Sequence, residues 1–84
     1  MKNKVLVDIY IPQIDENYNI YLPLNKNIAN IIYLLCKSIK ELKRIDNIDF
    51  NNYSLYNRDT GILYLSNSKI RETNIRNGFR LILM

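Results

Sequence analysis

The sequence predicts an α+β domain in which one helix packs on one face of a mixed β-sheet. Residues 27–42 place apolar side chains at the i, i+3, i+4, i+7 spacing of a single helical face. No second stretch has this period, and the other segments read as short strands and polar turns. A lone helix with one apolar stripe must bury that stripe against a sheet.

The first two strands are predicted as an antiparallel hairpin. Residues 5–11 alternate, with Val5, Val7, Ile9 and Ile11 toward the core and Leu6, Asp8 and Tyr10 on the other face. Residues 18–24 alternate again, with Ile20, Leu22 and Leu24 inward and Tyr21 outward. Pro12 ends the first strand, and Pro23 places the end of the second at a sheet edge.

The helix at residues 27–42 begins after Asn27, whose side chain can accept a hydrogen bond from an otherwise unpaired backbone N–H. Cys36 lies at the flank of its apolar stripe. The predicted stripe consists of Ile28, Ile31, Ile32, Leu35, Ile39 and Leu42.

The second half of the chain completes the sheet. Its predicted elements are a polar connection at 47–52 around Ile48 and Phe50, a strand at 53–57, a turn at 58–61, a strand at 62–65, a helical turn within 70–75, a turn at Asn77 and Gly78, and a last strand at 79–84. The first and last strands are the most apolar, so we expect them to be central, parallel neighbours. The predicted spatial order is 2-1-5-3 with the fourth strand at the edge, which is a β-grasp.

Length, charge and composition limit the classes of protein to which this chain can belong. Residues 1–84 are expected to form one domain, because the chain is too short for a second core. The net charge is +4, but the basic residues are scattered with at most two in a row, which disfavours nucleic-acid binding. The lone cysteine excludes an internal disulfide, and we see no signal peptide and no apolar run of ~20 residues. We therefore expect a cytoplasmic protein.

No catalytic or metal site is expected. The chain has no histidine, and Cys36 is predicted to be a buried hydrophobe, because a reactive thiol needs exposure and a lowered pKa. Asp46 and Asp49 lack the further ligands of a calcium loop. The Asp59-Thr60-Gly61 triplet is predicted to be a turn, since protease chemistry would need a second aspartate facing it. No cofactor or small-molecule substrate is implied.

Two stretches carry a family resemblance. In KIRETNIRNGFRLILM, the positions Ile70, Ile75, Gly78, Leu81 and Leu83 resemble the closing segment of ubiquitin-like domains. YLPLNKNIANIIYLL resembles the second strand and helix of the YukD/EsaB ubiquitin-like proteins of bacterial type VII secretion. The resemblance implies a cytoplasmic accessory protein, not an enzyme, that assists or regulates secretion by a membrane ATPase machine. It implies no catalytic or metal residues.

The sheet face away from the helix is the predicted binding surface. It is expected to present Leu6, Tyr10, Tyr21, Tyr56, Arg80, Ile82 and Met84. Tyr, Met and Arg are enriched in protein interfaces, although Tyr is also an ordinary strand former. A homodimer could use this face or the edge strand around Tyr21.

Three functional hypotheses follow. The first is a protein-binding adaptor of type VII secretion. The second is a nucleic-acid- or ribosome-associated β-grasp module, prompted by the positive charge. The third, a carrier activated at its C-terminus, is disfavoured because ubiquitin and the sulfur carriers end in Gly-Gly, whereas the only glycines here, Gly61 and Gly78, are predicted in turns.

Overall fold

A computed structural model describes residues 3–44 and 51–84. The strands are β1 (Lys4–Ile11), β2 (Glu16–Pro23), β3 (Leu55–Asn57), β4 (Leu63–Tyr64) and β5 (Arg80–Leu83), and the helix is α1 (Ile28–Lys43). Short 3-10 turns span Pro12–Ile14 and Ile70–Glu72. The predicted elements are therefore confirmed, with β3, β4 and β5 shorter than expected. The predictions for Asp46, Ile48, Asp49 and Phe50 lie outside the described residues.

The strands form one mixed sheet in the order β2-β1-β5-β3-β4. β1 pairs antiparallel with β2 and parallel with β5, while β3 pairs antiparallel with both β5 and β4. Parallel neighbours need a long crossover, and α1 lies within the chain that connects β1 and β2 to the later strands. This order confirms the predicted β-grasp.

The core lies between α1 and one face of the sheet, called here the inner face. Its buried apolar residues are Val5, Val7, Ile9, Ile11, Leu22, Ile28, Ile31, Cys36, Ile39, Leu55, Tyr64, Ile70, Ile75, Leu81 and Leu83. The inward assignments for β1 and β5 are confirmed, while Ile20, Leu24, Ile32 and Leu35 are partly buried against this core. Burying this much aliphatic surface is the main source of stability in a domain of this size.

Leu42 is the exception on α1, and its predicted burial is wrong, since its side chain is 72% exposed. It lies in the last turn of the helix, and residues 41–44 are all exposed, so this end extends past the core. Cys36, at the flank of the stripe, is buried, whereas Leu42 is not.

Hydrogen bonds pair the backbone amides of the first turn of α1. The Asn27 side chain accepts from the Asn30 N–H at 2.8 Å, which confirms the predicted cap. The N–H groups of Ile28 and Ala29 donate to the carbonyls of Ser68 and Ser66 at 2.8 and 2.9 Å. Amides that a helix N-terminus leaves unpaired are thus bonded to the loop after β4.

The turn into β5 is joined to β1. Leu6 N–H donates to Asn77 Oδ1 at 2.8 Å, and Gly78 N–H donates to the Leu6 carbonyl at 2.9 Å. Gly78 has φ of +87°, a conformation that side-chain-bearing residues adopt only at a cost, and Gly61 in the predicted 58–61 turn has φ of +78°. Both turn predictions are confirmed.

In the described part of the chain, no helix is long and apolar enough to cross a membrane.

Candidate protein-binding face

The sheet face opposite α1, called here the outer face, carries the predicted site residues. Leu6 and Tyr10 alternate with buried residues of β1, and Arg80 and Ile82 alternate with Leu81 and Leu83 of β5. Met84 continues this pattern, because its backbone N–H and carbonyl both bond to Ser54, at 3.1 and 2.8 Å.

Strand register brings part of this set into one row. Tyr10 lies beside Ile82 across β1 and β5, and Ile82 lies beside Tyr56 across β5 and β3. Tyr56 in turn lies beside Leu63 of β4. We call Tyr10, Ile82, Tyr56 and Leu63 the outer row. The row crosses four strands with apolar and aromatic side chains, and cross-strand neighbours of this kind lie in contact distance.

Leu63 was not among the predicted site residues, although it is the most exposed member of the outer row, at 48%. Its strand, β4, has only two residues, and alternation over so short a segment does not specify which side chain faces the helix. The pairing of Tyr64 with buried Leu55 turns Tyr64 inward and Leu63 outward.

Leu6 and Tyr21 form a separate pair on the outer face. They are register partners across β1 and β2. The next outward residue of β1 is Asp8, which lies beside Asn19 of β2 and beside Arg80 of β5. This polar line separates the pair from the outer row. The predicted site residues are therefore divided into two groups. Tyr10, Tyr56 and Ile82 lie in the outer row, whereas Leu6 and Tyr21 lie on the other side of this polar line.

Charged side chains border the outer row. The Arg58 guanidinium lies over the Tyr10 ring, 4.8 Å from its centroid, in a cation–π arrangement. The Tyr10 hydroxyl donates to Asp15 Oδ1 at 2.9 Å, and this bond raises the pKa of Tyr10. Both contacts hold the Tyr10 ring in place on the face.

Arg80 and Asp59 form an ion pair at the same border. Arg80 Nε donates to Asp59 Oδ1 at 3.1 Å, and a second guanidinium nitrogen bonds the same oxygen. The hydrogen bond lowers the pKa of Asp59 and raises that of Arg80. Both side chains are about half exposed, so water and salt screen the pair.

The Asp59-Thr60-Gly61 triplet is a turn organised by a buried amide. Asn57 Oδ1 accepts from the N–H groups of Asp59 and Thr60 at 2.9 and 3.1 Å, and Asn57 Nδ2 donates to the Tyr64 hydroxyl at 3.1 Å. With the Asp59 carboxylate engaged by Arg80, the turn prediction accounts for the triplet. Asn57 was not among the residues predicted to have a role, although asparagine side chains commonly bond nearby backbone groups in turns.

Cys36 lies on the far side of the molecule and is buried, as predicted. Burial raises the pKa of its thiol to about 11, against a smaller opposing effect of the Lys40 charge. A thiol with a raised pKa stays protonated at neutral pH and is a poor nucleophile. It contributes to a groove of about 490 Å³ lined by Ala29, Ile32, Tyr33, Cys36, Lys37, Lys40, Asn51, Tyr53 and Ser66.

Among the described residues, basic side chains lie on both sides of the sheet. The outer face pairs Arg80 with Asp59 and places Asp8 beside it, while Lys37 and Lys40 line the groove on α1. A phosphate-binding surface gathers its bases on one side. This distribution gives no support to the nucleic-acid alternative.

No family model matches the sequence, and no curated protein matches it. Solved structures do match the fold. The EccD5 ubiquitin-like domain from Mycobacterium xenopi has a TM-score of 0.75 and 20% identity, covering 96% of this chain and 92% of that one. A chain of the MycP5-free ESX-5 inner membrane complex, state II, has a TM-score of 0.78 and 16% identity, covering 98% of this chain and 21% of that one.

A third match comes from an enzyme assembly. A chain in the toluene 4-monooxygenase HD complex with 4-bromobenzoate has a TM-score of 0.77 and 9% identity, covering 95% of each chain. TM-scores of this size establish the fold, which is ubiquitin-like, and the predicted resemblance is confirmed at the level of the fold. This chain spans about a fifth of the length of the ESX-5 chain.

Proposed function

We propose that this chain is a non-catalytic ubiquitin-like accessory or regulatory protein of a bacterial type VII secretion system. It works in the cytoplasm and binds a protein partner of the secretion machinery through the outer row. The fold shared with the EccD5 domain and with a chain of the ESX-5 inner membrane complex supports the assignment to secretion. The observation that carries the binding role is the apolar and aromatic row on the face that α1 leaves uncovered.

The outer row has the composition of a binding centre. Tyr10 and Tyr56 combine a large apolar ring with a hydroxyl that can remain hydrogen-bonded when the ring is covered. Ile82 and Leu63 supply aliphatic surface between and beside them. A compact apolar centre with a charged border is the arrangement in which a few residues supply most of the binding energy.

We further propose that the protein acts without being conjugated. Both glycines lie in turns inside the domain, at Gly61 and Gly78. A carrier tail must be flexible enough to enter an activating enzyme, and neither glycine belongs to such a segment.

A complementation experiment in the organism of origin tests the binding role. Cells lacking the gene receive wild type, Leu63→Ala or Tyr56→Ala, and secretion of small helical substrates is measured by immunoblot of the medium. Purified protein is also tested for capture of the secretion ATPase and its membrane partners, identified by mass spectrometry. We expect both variants to lose capture and to alter secretion, because they remove apolar contact area from the row.

The matched controls are Leu42→Ala and Tyr33→Ala, which make the same chemical changes at exposed positions of α1. They should behave as wild type. Thermal unfolding of all four variants separates lost binding from lost stability. Normal secretion and normal capture with Leu63→Ala and Tyr56→Ala in folded protein would contradict the proposal.

A further inference from the structure

β2 is an edge strand whose outward backbone groups follow from its register. Leu24 N–H donates to the Asn3 carbonyl at 2.9 Å, which makes residues 24 and 3 a hydrogen-bonded pair. Such pairs alternate along an antiparallel ladder, so Leu22, Ile20 and Tyr18 also bond β1. The N–H and C=O groups of Asn17, Asn19 and Tyr21 therefore point away from the sheet.

Residues 17–22 of β2 lack the usual protection of an edge strand. Natural edges are blocked by lysines, prolines or bulges, or by a covering element. Between Glu16 and Pro23 there is no charged residue and no proline, and the eight-residue ladder with β1 is unbroken. Within the described ranges 3–44 and 51–84, no strand pairs with the edge of β2 that faces away from β1.

An apolar groove runs beside this edge. It has a volume of about 140 Å³ and is lined by Ile20, Tyr21, Leu22, Pro23, Ile31, Leu34, Leu35 and Ser38. Leu34 on α1 is 47% exposed and Tyr21 on β2 is 50% exposed, so apolar side chains flank the edge on both sides of the sheet. An added strand would therefore gain backbone bonds and also cover apolar surface.

We propose that the occupant of this edge is β2 of a second copy of the chain, paired antiparallel about a two-fold axis at Asn19. This places Asn19 opposite Asn19 of the copy and Asn17 opposite Tyr21. The two sheets become one continuous sheet. The proposed dimer surface is distinct from the outer row, so a test of one proposal does not decide the other.

The symmetric register uses the available groups completely. Every outward N–H and C=O from Asn17 to Tyr21 meets a partner, and the run of outward donors ends at Pro23, which has no N–H. An isologous interface requires a patch that is complementary to itself, and this segment satisfies that condition. A parallel arrangement would align the two prolines and the two glutamates, and it has no closed two-fold symmetry within one sheet.

The charges at the two ends of β2 also favour antiparallel pairing. Asp15 and Glu16 open β2, whereas Lys4 lies opposite Pro23 and Lys26 follows it. Antiparallel pairing brings the acidic start of each strand toward the basic end of the other. Glu16 already accepts a bond from Lys43 at 2.5 Å, so the backbone groups, more than the charges, set the register.

A charge-swap experiment tests the two-fold axis directly. Sedimentation equilibrium is run on wild type, Asn19→Lys, Asn19→Asp and an equimolar mixture of the two variants. Like charges facing each other across strands are destabilising, so each variant alone should raise the dimer dissociation constant about fivefold or more. The mixture should restore association, because residue 19 faces only residue 19 of the other copy.

Two further measurements sharpen the result. Tyr21→Lys should weaken the dimer, while the matched Tyr33→Lys, at a 62% exposed position on α1, should not. Amide exchange at Asn17, Asn19 and Tyr21 should slow as concentration rises, with Tyr18 and Ile20 unchanged. Wild type that stays monomeric to about 1 mM, or a mixture that does not reassociate, overturns the proposal, and capture of some other protein at this edge would not rescue it.

Discussion

The two faces of the sheet are made by the same alternating strands and differ sharply in composition and exposure. On the inner face, β1 and β5 contribute aliphatic residues such as Val7, Ile9 and Leu81 that are almost completely buried. On the outer face, the neighbouring positions carry Tyr10, Arg80 and other residues that are only half-buried or exposed. The difference lies in what covers each face, since α1 packs on only one of them.

This contrast separates positions that stabilise the fold from positions available for recognition. Inner residues contact many neighbours and tolerate little change. Outer residues contribute less to folding, so their identity can serve a partner. The following mutations and pH changes test this division.

The largest expected effect on stability is at Leu81, a residue of β5 on the inner face. Leu81→Ala should lower the free energy of unfolding by about 2–5 kcal/mol, because it leaves a cavity in the core. Ile82→Ala, its neighbour on the outer face, should cost clearly less, since Ile82 is only half-buried. Urea unfolding of both variants measures the difference. Equal losses would mean that the outer face is as tightly packed as the core.

A pH-dependent effect is expected on the helix side. Burial raises the pKa of the Cys36 thiol from 9.0 to about 11, so the unfolded chain loses this proton first as the pH rises. The contribution of Cys36 to stability should be constant well below pH 9 and should fall by about 2 kcal/mol as the pH rises from about 9 to 11. Cys36→Ala should reduce this slope, as measured by urea unfolding at several pH values. An unchanged slope would show that other groups cause it.

A smaller effect is expected at the start of α1. Asn27→Ala removes the oxygen that accepts from the Asn30 N–H and should cost about 1 kcal/mol. Asn27→Asp keeps the acceptor and should be nearly neutral. Thermal unfolding of the pair distinguishes the cap from a general effect of mutation, because only the alanine variant should lose stability.

The smallest effect is expected at the border of the outer row. Asp59→Asn weakens the exposed ion pair with Arg80, so its stability should differ from wild type less than that of Asn27→Ala. The pKa of Asp59 is lowered in the folded state, so the pair stabilises above pH 3.8, and its contribution disappears as the pH falls through the folded pKa. The difference should also shrink in 1 M salt. A large, salt-independent loss would contradict this assignment.

Most of the fold was predictable because its signals are local. The alternation of β1 and the helical period of α1 specify which side chains face inward, and Asn27, Gly61 and Gly78 mark a helix start and two turns. The strand order also followed, because the two most apolar strands belong at the centre of the sheet. These signals need no knowledge of distant contacts.

The candidate site was predictable only in part. Tyr10, Tyr56 and Ile82 were assigned to the right face by alternation, but their alignment with Leu63 depends on how strands far apart in sequence are paired. The separation of Leu6 and Tyr21 from the row has the same cause. Leu42 was misassigned because periodicity does not show where the core beneath a helix ends.

Which residues face the helix follows from the order of side chains along the chain, since alternation and helical period are properties of the backbone alone. Which outward residues become neighbours, and which edge of the sheet stays unpaired, depends on register between segments that are tens of residues apart. Cross-strand hydrogen bonding sets that register in three dimensions. This pairing assembles the outer row and, among residues 3–44 and 51–84, leaves the edge of β2 without a strand partner.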